Sequence, residues 1–548
     1  MKHRRQTVII SAIALISMML IAWSDRLPSP IHRLAASAIR ESEHRTAPVV
    51  GALLVKGANG VTSPFEGVLT WHNDNARDGL NGQEAILTPV SMANGFGVVF
   101  SYAIDGYAYA QPLYAPQVQI KGYGLKNVVY VATENDSVYA FDADEEVSTP
   151  LWRASFLDAS KGTTAIPNAL IGCTDIGPEY GITGTPVIDP LSGTLYVVAA
   201  TLDAKNNSQS LSLHALDITS GAELPGSPKV IFASYDGVTF SAAFENSRPG
   251  LLLANGVIYI GFGSHCDIQP YNGWVMAYDA STLEQTAVLN ITPAGTEGGI
   301  WQSGGGISAD SHGDLYIGTG NGTFDHNTGG PDFSDSLLRL DPALKLVGYF
   351  TPFDQGMLAE SDLDIGSGYV LLLPDQPGPH PHEALIGGKG PALYLVDRDD
   401  LGGYDPNSDD RIVQGIPHAF SGGIFGGGAY FHDSVYFGPT GDMLTQFTLS
   451  NGRLSTPPIS NPVSPPYPGA TPSISSNGNT DGIVWWVLNQ VAHLTLHAAL
   501  ASDIRNDIYD SGDTVTDHGV KFTIPTIANG RVYVGTQTNL LVFGLAKH

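Results

Sequence analysis

Cysteine is almost missing from this chain: 548 residues hold two, Cys173 and Cys266. Two cysteines make neither a disulfide framework nor a Cys-based zinc site. No C-x-x-C-H spacing occurs, so no covalent c-type haem is expected. Charge is also scarce. Charged residues are 14% of the chain, below the usual quarter, but their absence is filled by apolar residues and glycine rather than by a solvating tract. The rarer sign is positive, with 26 Lys and Arg against 53 Asp and Glu, a net charge of −27. Such a surface repels phosphate backbones, which argues against a nucleic-acid partner. It suits cations, or simple solubility outside the cytoplasm. Methionine (7) is far outnumbered by Tyr (23) and Phe (20), a balance that favours strands. No Gly-x-Ser-x-Gly is present, so a serine esterase is unsupported. Gly304–Gly306 and Gly426–Gly428 lack the flanks of a phosphate loop and read as close backbone approach at a crowded axis.

Long apolar runs are limited to one. Lys2, His3, Arg4 and Arg5 precede an uncharged stretch from Gln6 to Ser24. A basic flank before an apolar run marks a secretory signal peptide, and this run is also just long enough for an uncleaved membrane anchor. Either reading puts the bulk of the chain outside the cytoplasm, periplasmic or extracellular, touching a membrane only through residues 6–24. Residues 25–64, with Pro28, Pro30 and mixed charge, read as a linker. The organisation expected is 1–24 signal or anchor helix, 25–64 linker and 65–548 globular.

What is present in the globular part is a repeat. A short β-branched or aromatic strand leads to a second that often ends in Asp. Val128–Val131 leads to Val138–Asp142, Leu195–Val198 to Leu213–Asp217, and Val257–Ile260 to Val275–Asp279. Leu315–Gly318 leads to Leu337–Asp341, Val370–Leu373 to Leu393–Asp397, and Val435–Gly438 to Leu444–Phe447. Val484–Val487 and His493–Leu496, then Val532–Gly535 and Leu540–Phe543, complete eight pairs. With an inner and an outer strand added to each, four-stranded repeats arranged radially solve the problem of exposed sheet edges. The expectation is an all-β fold, an eight-bladed β-propeller preceded by an N-terminal apolar helix and linker. The segment near Leu69-Thr70-Trp71 is expected to help close the ring against the last blade.

Propeller topology also brings the cysteines together. Cys173 lies just before an inner strand, and Cys266 between the paired strands of the following blade. Both connections emerge on one face, and an oxidising compartment then predicts a Cys173–Cys266 disulfide.

The strand–turn–strand–Asp units, with Trp152 following Phe141-Asp142-Ala143-Asp144, resemble the repeat of the pyrroloquinoline-quinone-type (quinoprotein alcohol dehydrogenase-like) β-propellers. The resemblance covers roughly residues 68–545. It implies a blade-packing role for Trp152, and in the enzymes of the family a bound pyrroloquinoline quinone with calcium. Gly318-Thr319-Gly320-Asn321 is similar to the segment whose Asn ligates calcium. Trp301 is similar to the tryptophan that supports the quinone ring. Asp267 lies near the position of a carboxylate calcium ligand, and Asp332 is the nearest candidate for the catalytic base. An oxygen-rich metal site and an aromatic floor suit those groups chemically. The same residues also fit plain roles: Asp267 and Asp332 as turn caps, Asn321 as a left-handed turn residue, Trp301 as a packing aromatic. Glu360, Asp362 and Asp364 alternate along an extended segment and read as a solvated face. His380, His382 and Glu383 sit in a Pro-rich loop.

Three functions follow as expectations. The leading one is a propeller that binds a small molecule or an envelope protein at its central funnel, without catalysis being implied. The second is a quinone- and calcium-dependent dehydrogenase of alcohols or sugars. The third is an envelope-assembly scaffold.

Overall fold

Runs such as Val128-Val129-Tyr130-Val131 alternate their side chains between two faces, and here both faces are covered. Every residue from Val128 to Thr133 is buried. Strands buried on both sides must stack against other sheets, and eight sheets stacked face to face around an axis satisfy all of them. The computed structural model describes residues 53–56, 62–65, 67–147, 149–489 and 493–546. The expected signal or anchor over 1–24 lies outside these residues. Within the stretch read as linker, Leu53–Lys56 pairs with Thr62–Phe65 as an antiparallel hairpin.

Each blade is an antiparallel meander of four strands. The inner strands, in blade order, are Leu113–Ile120, Val187–Asp189, Leu252–Ala254, Ser308–Ala309, Leu371–Leu372, Ala429–Phe431, Ser473–Asn477 and Thr526–Ala528. Seven of the eight expected pairs are the middle strands of their blades. Blade 5 differs. Val370–Leu373 contributes the inner strand, and the second strand is Glu383–Gly387, which pairs with Leu393–Asp397. Its first residue is a glutamate at the end of a His/Pro loop, which masks a strand whose five residues are all buried. Between blades, Trp152 is 8% exposed and its Nε1 donates to the Ile218 carbonyl of blade 2 at 2.9 Å.

Ring closure does not use Leu69-Thr70-Trp71. The outer strand of blade 8 is Phe96–Ala103, antiparallel to Asn539–Leu545. That segment alternates buried and exposed side chains toward its end, as an outer strand should. Residues 68–81 instead form an axial segment that meets all eight inner strands in turn. Val68 pairs with Tyr114 of blade 1, and the Leu69 carbonyl accepts from Ile188 of blade 2. Asn75 donates to Leu253 of blade 3 and accepts from Ala309 of blade 4. The carbonyls of Ala76 and Asp78 accept from Leu372 of blade 5 and Tyr430 of blade 6. Leu80-Asn81 runs parallel to blade 7, and Asn81 donates to Ile527 of blade 8 at 2.9 Å. Narrow inner strands leave unpaired backbone groups at the axis, and this polar segment satisfies them.

Two charged-type side chains hold the segment. Arg77 is fully buried. It donates to the carbonyls of Ile307, Trp71 and Asp74 and to Thr70 Oγ1, at 2.6–2.9 Å. His72 lies between the carbonyls of Arg77 and Pro472, each 2.8 Å from a ring nitrogen. Burial pulls its pKa down to about 4, opposed by the hydrogen bonds to the two carbonyls.

Candidate functional site

On one face of the ring, the connections that lead into inner strands and those between second and third strands all emerge together. They enclose a cavity of about 350 Å3 at the mouth of the axis, at the lower end of the range for small-molecule sites. Arg248, Trp301, Ser367, Phe425, Tyr467 and Phe522 reach it from the connections entering blades 3 to 8. Asp175, Cys266, Asp267, Ser303, Asp362 and Lys389 complete the wall.

Cys173 and Cys266 form a disulfide, with Cα atoms 5.8 Å apart. It ties the loop before blade 2 to the turn of blade 3. Tyr180 donates its hydroxyl to Cys173 Sγ at 3.3 Å. Cys266 and Asp267 are both left-handed, with φ of 51° and 55°, and Gln302 and Ser303 repeat this at 44° and 48°. Two consecutive non-glycine residues in that region store strain, and both pairs border the cavity or lie directly behind it.

Trp301, from the connection entering blade 4, packs beside the blade 3 strand that leads into this turn, where a Cβ on Gly263 would come within 3.1 Å of its indole. Glycine is required around it: a Cβ on Gly299 or Gly320 would come within 2.8 Å of the indole. Tyr271 meets the ring edge-on at 6.3 Å between centroids. The Tyr271 hydroxyl donates to Asp267 Oδ1 at 2.6 Å. Burial, followed by the Asp267 charge, pushes that phenol far above its ordinary range.

The cations of the site are few and distinct. Arg248 is 3% exposed. Its guanidinium stacks over Phe522 at 4.6 Å, makes no contact ion pair with a carboxylate among the described residues, and leaves Nη2 without a hydrogen-bond partner. Lys389 is paired with Asp362 and, at 2.8 Å, with Asp364. Burial opposes its charge, but the two carboxylates overcome that and raise its pKa. Asp364, read from sequence as part of a solvated face, is fully buried. Burial raises its pKa, and Lys389 partly offsets this. Asp175 is also opposed by burial, yet Lys521 and then Arg248 hold it below the usual carboxylate range.

The structure brings Asp267 and Trp301 to one cavity. Asn321 and Asp332 are not among its lining residues. The Asn321 carbonyl accepts from Gly298 at 2.8 Å. Asp332 is 1% exposed, and its Oδ1 accepts from the Ala294 amide at 3.0 Å. Burial raises its pKa. Among the described residues, no three His, Cys, Asp or Glu side chains group as a metal site would. Sequence reasoning missed Arg248 and Lys389. Arg248, in Asn246-Ser247-Arg248-Pro249-Gly250, occupies the same topological position as Trp301, just ahead of an inner strand, and the same rule applied to every blade would have found it.

No family model matches the chain, and no curated protein sequence does. Solved structures do. A quinohaemoprotein alcohol dehydrogenase from Pseudomonas putida superposes with a TM-score of 0.56 at 14% identity, over 88% of this chain and 81% of that one. A europium-containing methanol dehydrogenase gives 0.56 at 13% identity, over 88% of this chain and 98% of its own. BamB from Moraxella catarrhalis gives 0.45 at 13% identity, over 83% and 98%, too low to carry an argument. At these identities the likeness establishes the fold alone, the eight-bladed β-propeller that these two dehydrogenases share with this chain.

Proposed function

We propose that this protein is an extracytoplasmic binding propeller whose funnel takes a flat, carboxylated aromatic ligand of the pyrroloquinoline-quinone class. The observation that carries this reading is Arg248. A guanidinium 3% exposed, with an idle Nη2 and compensated only by the Phe522 ring and the more distant Asp175 charge, has given up water at a cost that is recovered when an anion enters. The ligand carboxylate would meet Arg248, and its ring would lie against Trp301, with the Cys266 end of the disulfide on the same wall. The disulfide supports a location outside the cytoplasm.

The residues fit the organic group and not the calcium. Asp267 is committed to Tyr271, and Asn321 and Asp332 are not among the lining residues. A bound quinone would supply a two-electron acceptor. The chain's own part is to bind and orient it and to exclude water. A dehydrogenase of alcohols or sugars remains the second reading, favoured by the Lys389–Asp362 pair on the cavity wall.

Titrating the full-length protein with pyrroloquinoline quinone, by absorbance and tryptophan quenching, tests this. Saturable binding that survives chelation of calcium is expected. Arg248→Ala should weaken it at least about ten-fold, and Trp301→Phe should reduce the quenching. No saturation, or equal affinity in Arg248→Ala, would overturn the reading. Calcium-dependent binding with alcohol-driven bleaching of the quinone would favour the second one.

A further inference from the structure

A second cavity opens on the same face, at the shoulder between blades 4 and 5. Its volume is about 480 Å3. The short helix Gln355–Glu360 stands on one side, and the outer strand Gln414–Ile416 of blade 5 on the other. Met357, Leu358, Leu363, Ile365, Pro391 and Ile416 make most of its wall apolar.

Polar groups interrupt that wall: Asp354, Asp409 and Tyr394, together with Asn407, Ser408, Asp410 and His418. Asp354, Asp409 and the more exposed Asp410 line it; no Lys or Arg does, and the one basic side chain among its lining residues is the exposed His418. Asp354 Oδ1 is enclosed and has no hydrogen-bond partner. Asp409 Oδ1 accepts only the Phe353 amide, at 2.9 Å. Arg411, close by in sequence, is engaged with Asp405 at 3.0 Å. Tyr394 is 5% exposed and lines the cavity, and its hydroxyl makes no hydrogen bond to any described residue. Burial raises the Asp354 and Asp409 carboxyl groups above their ordinary range, and for Asp409 the Asp354 charge adds to it.

We infer that this cavity is a binding site for a small organic ammonium ion, an amine carrying an apolar body of a few carbons. The two carboxylates would take the ammonium, the Tyr394 hydroxyl would orient toward the same ligand, and the aliphatic walls would cover its body. Other ligand classes fit less well. A bare divalent cation wants six to eight converging oxygens, and among the described residues no three His, Cys, Asp or Glu side chains group as such a site would. An anion would be repelled. A neutral apolar molecule would leave the carboxylates desolvated and unpaired.

The site is separate from the funnel, although the two share a partition. Asp362 and Lys389 line the funnel, while Leu363, Ile365, Gly388 and Gly390, from the same two segments, line the side cavity. The two proposals therefore fail independently.

Calorimetry on the full-length protein with cyclohexylamine, cyclohexanol and cyclohexanecarboxylate as probes reads this directly. The amine should saturate. The alcohol should bind at least about ten-fold more weakly, and the carboxylate not measurably. Asp354→Asn and Asp409→Asn should each lower amine affinity about ten-fold or more, leave cyclohexanol unchanged, and leave quinone binding at Arg248 unchanged. Having two variants guards against one failing to fold. Absence of saturation by the amine, equal binding of amine and alcohol, or unchanged amine affinity in both variants would overturn the inference.

Discussion

Replacing Glu134 by Gln probes a charge that the fold holds in an unfavourable place. Glu134 is fully buried beside the junction of blades 1 and 2. Its Oε2 accepts from the Gly181 amide at 2.7 Å and from Thr183 Oγ1 at 3.1 Å, while Oε1 has no partner. Burial dominates and lifts its pKa from 4.5 to about 8, with the two hydrogen bonds opposing. The native state therefore binds a proton more tightly than the unfolded chain. Stability falls as pH rises from the unfolded value toward 8 and levels off above it. At about 1.36 kcal/mol per unit, a rise of some 3.5 units is worth on the order of 5 kcal/mol. Asp136, also fully buried with its pKa raised by burial and then by Glu134, acts in the same direction. Glu134→Gln keeps an acceptor for Gly181 and Thr183 but places an amide nitrogen where Oε1 has no partner, a cost of about 1–3 kcal/mol. The variant should thus be the less stable protein near pH 5 and the more stable one near pH 9. Guanidinium unfolding of both proteins at unit pH steps from 5 to 9 measures the difference. Two curves separated by a constant amount at every pH would refute the argument, because the carboxyl would then titrate alike in both states.

Two further outcomes follow from the covalent and axial ties. The Cys173–Cys266 bond closes a loop of 93 residues, which in the chain-entropy picture contributes about 4–5 kcal/mol. Cys173→Ser with Cys266→Ser should lower the unfolding midpoint accordingly, and mass analysis of the unmodified protein should find no free thiol. Arg77→Met removes the donors that serve three backbone carbonyls and Thr70, and should cost about 3–5 kcal/mol with Arg77→Lys recovering part of it. A loss in Arg77→Met of less than about 1 kcal/mol in denaturant unfolding would show that the axial segment is held by its backbone alone.

The middle strands were legible because they concentrate β-branched and aromatic residues and end in a turn-forming Asp. Outer strands such as Lys229–Val230 and Ile459–Ser460 are two residues long and carry no period to read. The axial segment was hidden for a different reason. His72-Asn73-Asp74-Asn75 has the composition of a loop, and its order comes from backbone edges contributed by strands hundreds of residues away. Trp301 stood out by resemblance to a family motif, whereas the disulfide followed from topology once the blades were counted. Asp364 did not, since alternation alone does not tell a solvated carboxylate from one buried against Lys389. Nor does Glu383, buried with both oxygens unpartnered, betray itself in a His/Pro-rich stretch.

The axial segment has a consequence for biosynthesis. Residues 68–81 and the closing strand Phe96–Ala103 leave the ribosome ahead of every blade, yet their partners extend to Ile527 and Leu545. The earliest globular residues to be made are the last to be enclosed. Until translation ends, the nascent chain carries an idle strand at one end and a growing open edge at the other, each a template for pairing with a stranger. A chain cut short anywhere before blade 8 cannot shelter either one. The fold is therefore committed to full-length product in a way that a solenoid of the same repeats, lengthened or shortened freely, is not.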